Sequence, residues 1–110
     1  MRYAIPLVEG KLSMHFGHCQ EFAFVDTEDG KITAVEKAIP PSYAPGALPA
    51  WLAENSAEVI VAGGMGSRAQ NLFRQNGIEV IVGAPVEDPE ELVRMYLTGA
   101  LVPGDNLCDH

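Results

Sequence analysis

Hydrophobic and polar positions along this chain change their rhythm halfway. Tyr3 to Val8 forms a short apolar strand, with Pro6 expected to interrupt its ladder at a bulge or an edge. Glu21 to Thr27 alternates apolar and polar residues through Phe22, Phe24 and Asp26, as a half-buried strand does. Glu28-Asp29-Gly30-Lys31 is a turn, because Asp-Gly readily takes positive φ, and Ile32 to Ala38 is the returning strand of a hairpin. Prolines at 40, 41, 45 and 49 stiffen the next stretch, which opens a short helix around Leu48 to Asn55.

From Glu58 the pattern is different. Val59-Ile60-Val61-Ala62 is a continuous apolar run, the mark of a strand covered on both faces. Gly63-Gly64-Met65-Gly66 breaks it, and a helix follows in which Ser67 and Gln70 have capping-box spacing and Ala69, Leu72 and Phe73 share a face. Asn76-Gly77 closes that helix through a left-handed cap, and Ile78 to Val82 is another buried strand. Asp88-Pro89-Glu90-Glu91 starts the last helix with a cap, a first-turn proline and dipole-favourable acids. Gly99 ends it, and Ala100 to His110 are expected as an extended tail.

The element order is therefore β-β-β-α-β-α-β-α. Strand–helix–strand units place the last two strands parallel. With the first strand joining them in parallel and the hairpin extending the other side, the expectation is an α/β, ribonuclease H-like mixed five-stranded sheet with helices on both faces. Residues 1–99 form this single domain and residues 100–110 the tail.

Composition narrows the function classes. An apolar content of 47% supports a packed core, and charged residues at 20% leave an ordinary solvated surface. A formal net charge of -8 disfavours nucleic acid and anionic membrane surfaces, since no basic stripe exists to neutralise phosphates. No apolar run approaches the ~20 residues that span a bilayer. Residues 1–6 show no signal-peptide core, which makes the cytoplasm, where thiols stay reduced, the expected compartment.

The candidate chemistry is segregated. All three histidines and both cysteines lie in Ser13-Met14-His15-Phe16-Gly17-His18-Cys19 or in Cys108-Asp109-His110. Imidazole and thiolate are the donors that soft and borderline transition metals prefer, so His15, His18, Cys19, Cys108 and His110 are the candidate metal ligands. A Cys19–Cys108 disulfide is the alternative use of the thiols. The first cluster follows the first strand, at the carboxyl edge of the sheet, whereas the last helix ends near the opposite edge. Returning along the helix takes about 16 Å. Seven or eight extended residues span roughly 25 Å, so the tail can close over its own site or donate to a neighbouring subunit.

Gly63, Gly64 and Gly66 form the second candidate, a loop after a buried strand whose backbone N–H groups suit an anion. A tight βα turn is the plain alternative. Arg68 sits in the first turn of the following helix, where the macrodipole disfavours a cation and a nearby anionic ligand would offset the cost. Neither a dinucleotide fingerprint nor a Walker loop is present. The acids are scattered over turns and helix starts, Asp26 is a lone strand carboxylate, and Ser13 near His15 has no identifiable third group, so no catalytic residues are assigned.

Several stretches together resemble the dinitrogenase iron–molybdenum cofactor biosynthesis family. They are Ser13-x-His15-Phe16-Gly17, Phe22 and Asp26, Gly63-Gly64-x-Gly66 with Ala69, Gly77-Ile78, Tyr96-Leu97-x-Gly99-x-Leu101 and Cys108-x-His110. The resemblance spans nearly the whole chain. It implies a ribonuclease H-like fold and a protein that binds or carries metal–sulfur clusters, with His15 as cluster ligand and Cys108 and His110 as accessory donors. His18 and Cys19 draw no family role and stand on donor chemistry alone. The resulting expectation is a non-enzymatic carrier of an iron–sulfur or molybdenum–iron–sulfur cluster whose partners are metallocluster assembly or acceptor proteins. The rival expectations are a mononuclear Zn or Cu(I) storage site and a phosphate- or nucleotide-handling enzyme.

Overall fold

Strand β1 (Arg2–Val8) is the centre from which the sheet grows. The computed structural model describes residues 1–13, 21–40 and 47–97. After β1 come β2 (Lys11–Leu12), β3 (Glu21–Glu28), β4 (Lys31–Ala38), α1 (Ala47–Glu54), β5 (Val59–Val61), α2 (Ser67–Gln75), β6 (Glu79–Ile81) and α3 (Pro89–Leu97). The main path across the sheet is β4-β3-β1-β5-β6, with β2 paired to β1. Pairs β1–β5 and β5–β6 are parallel and the other three are antiparallel, so the sheet is mixed, as expected.

Two details correct the expectation. A sixth strand exists: Glu9 and Gly10, at φ 53 and 81, make a two-residue turn that folds Lys11–Leu12 back onto β1. Pro6 is neither at an edge nor at a bulge; it lies in the central strand opposite Phe22. Its carbonyl accepts from the Ser13 N–H at 2.8 Å on the β2 side. A strand residue's N and C=O point to the same side, so its absent donor faces β2 and no rung to β3 is lost. The β1–β5 register runs through Tyr3↔Val59 and Ala4↔Ile60 and stops short of Pro6.

Alternation of β1 side chains supplies both cores. Tyr3, Ile5 and Leu7 join Ala23, Val25, Val59, Val61 and Ile81 under Leu92 and Val93 of α3. Ala4, Phe22, Phe24 and Ile60 face the other way, under Leu48 and Leu52 of α1 and Phe73 of α2. Helices thus cover both faces. The β3–β4 hairpin turns through Asp29 and Gly30 at φ 53 and 75, as their dipeptide requires. β4 is the outer strand and is mostly exposed.

Helix α2 starts and stops by different means. Its N-cap is Gly66, in extended conformation and without a side-chain cap, so the expected Ser67–Gln70 capping box does not form. Ser67 is the first helical residue, and the Gln70 side chain instead donates from Nε2 to the Met65 carbonyl at 2.9 Å. At the other end Ile78 N–H reaches Phe73 O and Gly77 N–H reaches Arg74 O, both at 3.0 Å, with Gly77 at φ 77. That is the left-handed cap expected from Asn76-Gly77.

Candidate functional site

Three strands end together at one edge. β1, β5 and β6 run parallel, so Val8, Val61 and Ile81 point their carboxyl ends the same way. Beyond β1 the chain folds back through β2, which pairs with the end of β1 on the side away from β3, before it reaches β3. Beyond β5 it turns through α2 towards β6. Because β1 leads on to β3 and β5 to β6, their neighbours on opposite sides, the carboxyl ends of β1 and β5 form a topological switch point, where open α/β sheets take ligands in a crevice.

Backbone hydrogen bonds fix the crevice walls. Ser13 is tied to Pro6 O, and Leu12 N–H donates to Glu87 O at 3.0 Å, which joins the β1–β2 hairpin to the loop after β6. That loop is pinned in turn to the glycine-rich one: Gly83 N–H donates to Gly63 O at 3.0 Å and Ala84 N–H to Ala62 O at 3.2 Å. Gly83 takes φ 80, a conformation that glycine adopts without strain. Gly63 and Gly64 are buried and Gly66 is half-buried. Met65 is fully buried among the α1 and α2 core residues, so its thioether serves packing.

The α2 N-terminus opens towards this edge. The Gly66 carbonyl accepts the first helical bond, from Gln70 N–H at 3.0 Å, while the first turn carries no acid. Arg68 is exposed in that turn and makes no ion pair among the described residues. An uncapped helix start with a cation beside it favours an anionic guest.

The chain passes out of the described residues at Ser13 and returns at Glu21, which pairs with Leu7 at this same edge. His15, His18 and Cys19 belong to residues 14–20, and Cys108 and His110 to residues 98–110; both segments lie outside the described residues. What the structure brings together is thus Gly63, Gly64, Gly66 and Arg68 with the two ends of the histidine-bearing segment. Among the described residues no three His, Cys, Asp or Glu side chains converge as a metal site.

Asp26 stands at the opposite edge and is engaged there. Arg2 donates from Nε to Oδ1 at 2.8 Å and from its terminal nitrogen to Oδ2 at 3.0 Å, and another guanidinium nitrogen reaches Asn55 O at 3.1 Å. The Arg2 hydrogen bonds hold the Asp26 carboxyl below its ordinary range. The same guanidinium lies 5.3 Å from the Phe24 ring centre. Sequence reasoning misses the wall contributed by Glu87 and Gly83 and the Gln70 anchor. Only Gly83, a glycine just past a strand, gives any local signal.

The fold is a mixed α/β sheet with a glycine-rich helix start at the carboxyl ends of its parallel strands, and comparisons with known proteins place that fold in a family. The model of the family described as dinitrogenase iron-molybdenum cofactor matches residues 1–99. The chain belongs to this family. It is 31% identical over 106 residues to the uncharacterized protein MJ0580 of Methanocaldococcus jannaschii, covering 92% of this chain and 89% of that one. The crystal structure of PH0822 superposes with a TM-score of 0.84 at 31% identity, over 94% of this chain and 96% of that one. The apo form of the orange protein from Desulfovibrio gigas superposes with a TM-score of 0.76 at 23% identity, over 96% and 93%, a likeness of fold. No helix among the described residues is long and apolar enough to cross a membrane.

Proposed function

We propose that this protein binds and carries a metal–sulfur cluster of the iron–sulfur or molybdenum–iron–sulfur type, and passes it to metallocluster assembly or acceptor proteins without catalysing a reaction of its own. The observation that carries this reading is the coincidence of family and geometry. A chain matched to a cofactor family over residues 1–99 leaves the described residues at Ser13 and returns at Glu21 on the carboxyl edge of its parallel strands, and the intervening sequence holds two histidines and a cysteine. In this reading the sheet is of the ribonuclease H-like type and the protein works in a reducing cytoplasm.

The donor set fits such a cargo. His15 ligates metal, with His18 and Cys19 as neighbouring donors and Cys108 and His110 supplied by the tail. Metal–sulfide clusters of this kind are anionic, which suits the Gly63–Gly66 loop, the open α2 start and the Arg68 guanidinium. Few protein bonds to the cargo keep release possible.

Anaerobic reconstitution with iron, molybdate and sulfide, followed by elemental analysis and visible absorption, tests the reading. The expected result is bound metal with stoichiometric sulfide and a charge-transfer band that His15→Ala removes. Metal retained without sulfide would establish a mononuclear site instead. A spectrum unaffected by His15→Ala would remove the named ligand. Thermal stabilisation by a nucleotide, with no metal retained, would establish the phosphate-handling alternative.

A further inference from the structure

The cap that ends α2 is also a reactive sequence. Asparagine closes to a cyclic imide most readily before glycine, which has no side chain to hinder attack by its own nitrogen. Asn76 and Gly77 are exposed, so water and hydroxide reach both. Once hydroxide has taken its proton, the Gly77 nitrogen attacks Asn76 Cγ. The new C–N bond closes the imide as the Cγ–Nδ2 bond breaks, and the departing nitrogen takes a proton from water to leave as ammonia. A further water opens the ring at either carbonyl, giving aspartate or an isoaspartate link through the side chain.

The fold opposes this reaction by conformation. Ring closure needs the Gly77 nitrogen to eclipse Cβ about the Asn76 Cα–C bond, whereas at ψ 11 it eclipses Asn76's own backbone nitrogen instead. Both reacting groups are engaged as well. Gly77 N–H donates to Arg74 O at 3.0 Å, and Asn76 Nδ2 donates to Leu72 O at 2.8 Å, which draws the side-chain amide back along the helix.

Neighbours on both sides bolt that geometry to the core. Ile78 N–H donates to Phe73 O at 3.0 Å, and both of these side chains are fully buried. One residue later, Glu79 N–H donates to Glu58 O at 2.9 Å, where β6 starts beside β5. Turning the Asn76 ψ far enough to react therefore pulls either the end of α2 or the start of β6 out of place.

We propose that Asn76-Gly77 is a latent deamidation site, shut while the last turn of α2 is formed and reactive only when that turn opens. The products weaken reclosure. An aspartate at this position has no donor for Leu72 O and sets a negative charge among the terminal carbonyls of α2, where the helix dipole is already negative. An isoaspartate link lengthens the backbone by one atom and shifts Gly77 away from Arg74 O. A chain that has opened here thus carries a covalent record of it, in the helix whose other end bears Gly66 and Arg68. The inference does not rest on the cluster reading.

Peptide mapping by mass spectrometry tests this on the full-length, metal-free protein incubated at mildly alkaline pH, either folded or unfolded in urea. Deamidation at residue 76 should be about a hundredfold slower in the folded chain, since three hydrogen bonds must break before reaction. Amide hydrogen exchange at Gly77 and Ile78 should show protection of the same order. Ile78→Ala, which removes the buried anchor, should speed deamidation of the folded chain severalfold; should that variant not fold, the exchange comparison carries the test. Asn76→Asp, standing for one product, should speed exchange at Gly77 and Ile78 severalfold. A folded chain that deamidates as fast as the unfolded one would overturn the proposal. So would freely exchanging Gly77 and Ile78 amides, a folded Ile78→Ala protein with an unchanged rate, or exchange indifferent to Asn76→Asp.

Discussion

The two edges of the sheet are built on opposite plans. At the amino edge, polar groups are matched within the protein: Arg2 grips Asp26 with two hydrogen bonds, the Met1 amine donates to Thr27 O at 2.7 Å, and Glu58 N–H donates to Arg2 O at 2.9 Å. At the carboxyl edge, buried glycines, an uncapped helix start and a cation with no ion pair among the described residues face one crevice. One edge closes the fold, whereas the other, among the described residues, presents a helix start without a side-chain cap and a cation without an ion pair. Stability and binding are therefore expected to respond to different residues.

The largest separation should come from Phe24→Ala. The ring is 1% exposed, packs on Trp51 at 5.7 Å and carries the Arg2 guanidinium. Its loss is expected to cost about 3–5 kcal/mol in chemical unfolding. An unchanged midpoint would show that the amino edge does not hold the fold.

Asp26→Asn comes next. Removing one partner of a charge-assisted pair costs about 2 kcal/mol, read as a lower denaturation midpoint with the same slope. The pH dependence follows from the same contact. Asp26 is held below its ordinary value in the folded protein, so its contribution is complete above the unfolded carboxylate range, about 3.9. It declines as pH falls from there through the folded value. The wild type should therefore lose stability on acidification below about pH 4, and Asp26→Asn should flatten that part of the profile. Parallel profiles for the two proteins would sink this assignment.

The smallest effect sharpens the comparison most. Arg68→Ala removes a cation from the positive end of α2 and should raise stability by about 0.3–1 kcal/mol, while weakening retention of an anionic cluster. A destabilised variant with unchanged retention would mean that Arg68 belongs to the closing plan after all.

Legibility in the sequence tracks how local the cause is. Asp29-Gly30, Asn76-Gly77 and Asp88-Pro89 act through their own backbone preferences, and each appears where its chemistry puts it. The Val59–Val61 run is readable because burial on both faces leaves no polar position. Glu9-Gly10 escapes detection as a hairpin turn because glutamate has no turn preference, and only the paired strands reveal the positive φ it adopts. Pro6 misleads because its missing donor is harmless only in relation to where β5 stops. The Gly63–Gly66 loop and Arg68 are legible as a helix start, but the Glu87 and Gly83 contacts that wall the crevice depend on distant segments meeting.

Pro6 also divides the central strand mechanically. Its first residues are zipped to β5, and its last two hold only the short β2 return on that side. The β2 return is held there by the Leu12–Glu87 and Ser13–Pro6 bonds, each worth about 1 kcal/mol, by its two-residue pairing and by Leu12, buried in the core under α3. The parallel β1–β5 seam shares none of those backbone bonds, so strain on one half of the strand need not pass to the other.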